Sequence, residues 1–163
     1  GANHKSILAT HDISPKKIKK LEVLFDKNIV KLSELDSEFD FNKKILIIDS
    51  IGDLKFIYRY AYVAYVGGGF YKNSLHNILE PSVFSCPVII GKNYENFNEA
   101  VDLINLGGVF SIKKSIDFSA LMKKIYKDPQ FRNETGLVNY NYISENQKKN
   151  KKVIESLIKK IRS

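Results

Sequence analysis

The chain has 163 residues, 44% of them hydrophobic, and this length fits one ordinary globular domain with a sizeable core. Its single cysteine, Cys86, excludes an internal disulfide, and no apolar run reaches the roughly 18 residues that a membrane-spanning helix needs. Much of the net charge of +8 lies in lysine runs that are predicted to occupy polar helix faces. Such runs argue against nucleic-acid binding, which favours one basic stripe with interleaved aromatics, and leave an anionic substrate or membrane surface as partner.

Short apolar runs alternate along the chain with longer segments of helical period. In chain order they predict a strand at 6–9, a helix at 14–25, a strand at 29–32, a loop at 33–42, a strand at 45–48, a short helix at 53–60, a strand at 63–66, a helix at 76–84, a strand at 87–90, a helix at 96–106, a strand at 109–112, and helices at 118–126, 129–142 and 144–161. Cys86 falls in an apolar run and is predicted to be buried.

This alternation predicts a Rossmann-like α/β domain with three layers, α/β/α, around a six-stranded parallel sheet. The expected strand order is 3-2-1-4-5-6, and ligands bind beyond the carboxyl ends of the strands where that order reverses. The first and fourth strands end at residues 10–12, Thr-His-Asp, and 67–70, Gly-Gly-Gly-Phe. Topology alone therefore predicts a site that includes His11 and the glycine loop.

The segment from Gly67 to Glu80 carries the densest group of candidate binding residues. Its glycines would allow another group to approach the backbone closely, and the helix predicted to begin near His76 would favour an anion such as a nucleotide phosphate or a sugar carboxylate. Lys72 would add a positive charge. The alternative is a tight turn that needs only the flexibility of glycine.

Each polar candidate has a functional and a structural interpretation. The Glu80 carboxylate can accept hydrogen bonds from two ribose hydroxyls, or it can simply favour a first helical turn. His76 can bind an anion, cap the helix or act as a catalytic base, although the spacing shows no Asp or Glu partner for the last role. Asn77 can cap the helix or contact the ligand. Asn96 can cap the next helix or bind a sugar, and His11 can contact the ligand or belong to a turn. The three histidines are scattered and there is one cysteine, so no metal site is predicted.

Three motifs occur in a fixed order: Val-Gly-Gly-Gly-Phe at 66–70, His-Asn-Ile-Leu-Glu-Pro at 76–81, and Pro-Val-Ile-Ile-Gly at 87–91, which Asn96-Phe97 follows. Together they resemble the C-terminal domain of Kdo transferases, the 3-deoxy-D-manno-octulosonic acid transferases of lipopolysaccharide assembly. The resemblance extends over residues 4–108. By motif it assigns donor binding to Gly68, Gly69, Phe70, His76, Asn77, Glu80 and Asn96.

The resemblance implies a glycosyltransferase of the two-domain GT-B fold. Residues 1–163 would form its single donor-binding domain for CMP-Kdo, and the N-terminal acceptor domain would be absent from this chain. That domain would supply the catalytic carboxylate, bind the lipid A precursor and contact the cytoplasmic face of the bacterial inner membrane. Transfer would need no metal or other cofactor. The chain itself would be soluble and would bind the donor without catalysing transfer, so no catalytic residue is assigned within it.

The sequence also departs from the family pattern. Ser74 and Leu75 precede the His-Asn pair where small residues or glycine are frequent, Lys92 stands where proline is common, and Thr10-His11 replaces Pro-Arg or Pro-His. Two alternatives remain open at this point: the donor domain of another GT-B enzyme that uses a UDP-sugar, and a non-catalytic nucleotide-binding module.

Overall fold

A computed structural model describes residues 4–35, 43–72 and 74–161, and the described chain divides into two compact units, Gly1–Phe56 and Ile57–Ser163. The strands are β1 (Ser6–Ala9), β2 (Ile29–Lys31), β3 (Ile45–Ile48), β4 (Ala64–Val66), β5 (Val88–Ile90) and β6 (Val109–Ser111). The helices are α1 (Pro15–Phe25), α2 (Leu54–Ile57), α3 (Leu79–Val83), α4 (Asn98–Leu106), α5 (Ser115–Lys127) and α6 (Pro129–Ile161). Short 3-10 helices occupy Asp26–Asn28, Leu32–Glu34 and Tyr58–Tyr60.

The first unit contains a three-stranded parallel sheet in the order β1-β3-β2. We predicted β2 in the middle, and that order is wrong. The strand β3 has the sequence Ile-Leu-Ile-Ile, and such a continuous aliphatic run suits a strand with neighbours on both sides. The three-residue β2 instead ends at Lys31, whose ammonium forms ion pairs with Glu22 at 3.1 Å and Glu34 at 2.6 Å.

The second unit contains the parallel sheet β4-β5-β6, in the predicted order. Its central strand β5 is fully buried, and alternate side chains enter two different clusters. Val88 and Ile90 pack in a cluster with Leu103 of α4, whereas Ile89 packs with Ile125 of α5. Helices therefore cover both faces of this sheet.

The predicted α/β class, with parallel strands and flanking helices, is confirmed. The single six-stranded sheet is not confirmed, because the described strands pair within two three-stranded sheets. Most predicted elements are found, and the strands at 6–9 and 45–48 match residue for residue. The prediction of a buried Cys86 is also confirmed. Part of the loop predicted at 33–42 is a 3-10 helix, Leu32–Glu34, and residues 36–42 lie outside the described part.

The predicted break between two C-terminal helices is wrong, because α6 is one helix of 33 residues. No glycine or proline follows Gly136 within it, so nothing in the sequence stops the helix. Its first half contains the buried residues Thr135, Gly136 and Asn139, whereas every residue from 151 to 161 is exposed. Among the described residues, none of the helices is long and apolar enough to cross a membrane.

Candidate functional site

The glycine loop that follows β4 folds back on the end of its own strand. The Tyr71 N–H donates to the Gly68 carbonyl at 2.9 Å, and the Ser74 hydroxyl donates to the same oxygen at 2.6 Å. The His76 N–H donates to the Gly67 carbonyl at 3.1 Å. These bonds hold residues 67–72 and 74–76 in a compact arrangement at the carboxyl edge of the sheet.

Two of the three glycines are explained by close packing of the backbone. Gly68 has a φ of +88°, and a Cβ added there would lie 1.7 Å from the Ser74 carbonyl oxygen. A Cβ on Gly69 would lie 2.7 Å from the Gly91 nitrogen. At both positions the chain itself makes the close approach that was expected of a ligand. The turn interpretation accounts for Gly68, whereas Gly69 is required by the packing of the loop after β5 against the glycine loop.

The loop after β5 lies directly against the glycine loop. The Asn93 N–H donates to the Gly69 carbonyl at 2.8 Å, and the Ser111 hydroxyl donates to the Gly91 carbonyl at 3.2 Å. These bonds join the ends of β4, β5 and β6 into one edge. The glycine loop and the loop after β5 are thus in contact at this edge.

A cavity of about 260 Å³ lies between these loops. It is lined by Lys72, Asn93, Glu95, Asn96 and Phe97. The ammonium of Lys72 can attract an anion, and the two amides can exchange hydrogen bonds with hydroxyl groups. The cavity is smaller than the 300–1,000 Å³ or so of a typical small-molecule site, so it can hold only part of a large ligand.

Asn96 does not cap the following helix, because α4 begins at Asn98 and its N-cap residue is Phe97. Phe97 packs against the core cluster of the second unit. The sugar-binding interpretation of Asn96 therefore stays a prediction, now for a side chain that lines the cavity.

The helix α3 begins at Leu79, three residues later than predicted, and has only five residues. The Asn77 side chain causes this delay, since its Oδ1 accepts the Leu79 N–H at 3.0 Å in a local turn that competes with helical bonding. So short a helix has little dipole, and the predicted anion site at its N-terminus loses its main physical basis. The His76 ring lies beside Gly67 instead: a Cβ added to Gly67 would be 3.7 Å from its Nδ1.

The exposed Glu80 carboxylate is held by a neighbouring side chain. The Asn77 Nδ2 donates a hydrogen bond to the Glu80 Oε1 at 3.2 Å. Glu80 also lies near the partly buried Tyr58, where burial first and then the charge of Glu80 raise the pKa of the phenol to about 12. Tyr58 thus remains a neutral hydroxyl at neutral pH.

His11 follows β1 in the first unit, and the geometry there is that of a turn into α1. The Thr10 hydroxyl donates to the Asp12 carbonyl at 2.7 Å, and the Ser14 N–H donates to the Asp12 carboxylate at 2.8 Å. The second bond lowers the pKa of Asp12. These contacts support the turn interpretation of the segment, and a ligand contact by His11 stays a prediction, as it does for the exposed Phe70 in the second unit.

Asn93 and Glu95 belong to the polar segment 91–97, which the sequence predicts after the fifth strand at the carboxyl edge of the sheet, but the sequence gives neither of them a role of its own. Asn93 and Glu95 line the cavity, and the main signal for them was their place two and four residues after a glycine at a strand end. Within residues 4–35, 43–72 and 74–161, no group of three or more His, Cys, Asp and Glu side chains has the geometry to hold a metal ion.

Comparison with known proteins yields relatives in both sequence and structure. The chain is 32% identical over 117 residues to the 3-deoxy-D-manno-octulosonic acid transferase of Haemophilus influenzae, a match to 71% of this chain and 27% of that protein. It is 31% identical over 74 residues to the enzyme of the same name from Aquifex aeolicus, covering 45% of this chain and 21% of that protein. The chain thus matches about a quarter of the length of these relatives. No family model matches it.

The fold is that of a solved domain. The crystal structure of the C-terminal CMP-Kdo binding domain of WaaA from Acinetobacter baumannii superposes with a TM-score of 0.65 at 18% identity, covering 86% of this chain and 90% of the other. The sequence relatives and the shared fold confirm the resemblance drawn from the three motifs: this chain is similar to the C-terminal domain of Kdo transferases.

Proposed function

We propose that this chain is the CMP-Kdo-binding domain of a Kdo transferase. The observation that carries the proposal is the shared fold with a CMP-Kdo binding domain, joined to the sequence match to Kdo transferases. The match to the Haemophilus influenzae enzyme covers 71% of the chain. Wherever a match of that length begins, it has to include the middle of the chain, with the glycine loop, Glu80 and the loop after β5. The matched region thus contains the second-unit residues to which donor binding is assigned.

The chemistry of this edge suits a nucleotide sugar with two anionic groups, a phosphate and a sugar carboxylate. Lys72 supplies a positive charge at the cavity, and Asn93 and Asn96 supply amides for sugar hydroxyls. Glu80 is exposed, and its carboxylate can accept hydrogen bonds from the two ribose hydroxyls. The cavity takes one part of the donor, and the remainder lies over the exposed carboxyl edge.

For the whole enzyme, we propose transfer of Kdo from CMP-Kdo to a lipid A precursor at the cytoplasmic face of the inner membrane. The resemblance assigns the acceptor, the membrane contact and the catalytic carboxylate to an N-terminal domain. In this division of labour the present chain binds CMP-Kdo and does not transfer it alone. Binding is expected without a divalent cation, since the resemblance implies a metal-independent enzyme.

Thermal unfolding in the presence of CMP tests the proposal. A ligand that binds only the folded state adds about 2.7 kcal/mol of stability at one hundred times its Kd. For a chain of this size that corresponds to a rise in Tm of about 5–10 °C. We expect this rise with CMP, a smaller one with UDP, and the same rise with CMP in EDTA.

Two substitutions of exposed carboxylates test whether CMP binding depends on Glu80. Glu80→Ala is expected to weaken CMP binding about 10–100-fold, because hydrogen bonds to a charged group contribute about 1.5–3 kcal/mol. Glu155→Ala, on the exposed end of α6, serves as the control and is expected to leave the affinity unchanged. A larger shift with UDP than with CMP would favour a UDP-sugar enzyme, and no shift with either nucleotide would overturn the proposal.

A further inference from the structure

Asn77 forms two hydrogen bonds that connect Glu80 to the backbone. Its Oδ1 accepts the Leu79 N–H at 3.0 Å, and its Nδ2 donates to the Glu80 Oε1 at 3.2 Å. The amide oxygen of Asn77 is therefore held by the Leu79 N–H, and the amide nitrogen holds the solvent-exposed carboxylate of Glu80.

This arrangement restricts a flexible side chain. A free glutamate side chain has several rotamers, and ordering it on ligand binding costs about 0.5–1.5 kcal/mol. The Asn77 amide selects one arrangement of Glu80 before any ligand arrives. The hydrogen bond from Asn77 uses only the Oε1 atom of Glu80. Among the described residues, no hydrogen-bond donor contacts the other carboxylate oxygen, Oε2. The second oxygen remains available for an incoming hydroxyl.

We propose that Asn77 is a positioning residue for nucleotide binding and acts through Glu80. The inference rests on the proposed function, since Glu80 must bind the ribose for its orientation to matter. On this assignment Asn77 makes no contact of its own with the ligand. The two interpretations left open by the sequence, a cap and a ligand contact, are thereby replaced by a third role.

A double-mutant cycle tests the assignment on this chain, with CMP as the probe and titration calorimetry as the measurement. Asn77→Ser keeps a short acceptor for the Leu79 N–H but cannot reach Glu80. We expect it to raise the Kd for CMP about 5–10-fold and to change the Tm of the ligand-free chain by less than about 2 °C. In the Glu80→Ala background the same substitution should change the Kd less than about twofold.

Asn141→Ser is the matched control, because Asn141 is an exposed asparagine in the middle of α6. It is expected to leave the Kd unchanged in both backgrounds. If Asn77→Ser does not fold, Asn77→Thr replaces it, since threonine also offers a hydroxyl acceptor for the Leu79 N–H, is too short to reach Glu80 and adds no charge.

The possible results separate this proposal from the proposed function. An equal loss of affinity in both backgrounds would mean that Asn77 acts independently of Glu80 and would overturn the positioning role alone. An unchanged Kd for Asn77→Ser would overturn it as well. Failure of the unmodified chain to bind CMP would overturn the proposed function, and the positioning role with it.

Discussion

The two edges of the sheet β4-β5-β6 differ in how they use polar groups. At the amino edge, the fully buried Asn139 of α6 donates from its Nδ2 to the carbonyls of Cys86 and Gly108, both at 2.8 Å. At the carboxyl edge, side chains such as Glu80 and Asn96 are exposed. At the amino edge a buried polar side chain holds elements together, whereas the carboxyl edge has, beside the bonds that join its loops, exposed polar side chains that can meet a ligand.

The largest effect is expected at the amino edge, from Asn139→Ala. The substitution leaves two buried carbonyls without their donor and opens a cavity, which should lower the free energy of unfolding by about 2–4 kcal/mol. Asn141→Ala, an exposed position on the same helix, is the control and should change stability by less than about 0.5 kcal/mol. Urea unfolding measures both, and equal losses would contradict the distinction between buried and exposed polar groups.

The distinction between the edges is least sharp at Gly68, which lies at the carboxyl edge yet has a structural role. Gly68→Ala places a Cβ 1.7 Å from the Ser74 carbonyl oxygen in a residue with positive φ, and we expect a loss of about 1–3 kcal/mol. Because the turn must shift, CMP binding should also weaken, about tenfold or 1.4 kcal/mol.

Gly67→Ala is the matched control for this glycine. Its Cβ would meet only the His76 ring, at 3.7 Å, which is an ordinary contact. Unfolding and CMP titration of the two variants should therefore differ. If Gly68→Ala were as stable as Gly67→Ala, the close packing of the turn would not be required in solution.

Gly68 and Gly69 show which features of the fold the sequence predicts and which it does not. The strands at 6–9 and 45–48 match the prediction residue for residue, because short aliphatic runs at 7–9 and 45–48 end there at polar residues. Strand alternation also predicted that the glycine loop lies at the carboxyl edge of a parallel sheet, where it is found. The partners of Gly68 and Gly69, however, are backbone atoms of Ser74 and Gly91, and no local pattern indicates such contacts.

Other errors have the same origin in interactions that the local pattern does not contain. The order β1-β3-β2 depends on which strand is flanked on both sides, which periodicity does not decide. The late start of α3 depends on the Asn77 side chain bonding the Leu79 N–H. Asn139 was not singled out, since a lone asparagine in a polar helix gives no sign that it is fully buried.

A smaller effect is expected from the Cys86 thiol at the amino edge. Burial raises its pKa from the usual 9.0 to about 12. In the unfolded chain the thiol ionises above pH 9, whereas in the folded chain it stays protonated until about pH 12. The unfolded state thus releases its proton first, and stability falls as the pH rises from 9 to 12.

Unfolding of the wild type and of Cys86→Ala at pH 8 and pH 10.5 measures this contribution. Tyr58, whose pKa is also raised to about 12, adds a fall from pH 10 upwards in both proteins. The wild type should therefore lose more stability between the two pH values than the variant. Equal losses would show that the thiol ionises as easily in the folded chain as in the unfolded one.

The smallest effect on stability is expected at the exposed C-terminal end of α6. Residues 151–161 are all exposed, including Val153, Ile154, Leu157 and Ile158 at 43–58%. The ion pair between Lys151 and Glu155 spans 4.0 Å at the surface, where such pairs contribute little. Truncation after Asn150 should thus lower the free energy of unfolding by less than about 1 kcal/mol and leave CMP binding unchanged. A loss above about 2 kcal/mol would mean that this aliphatic stripe is packed against something in solution, because burial of several such side chains is needed for that magnitude.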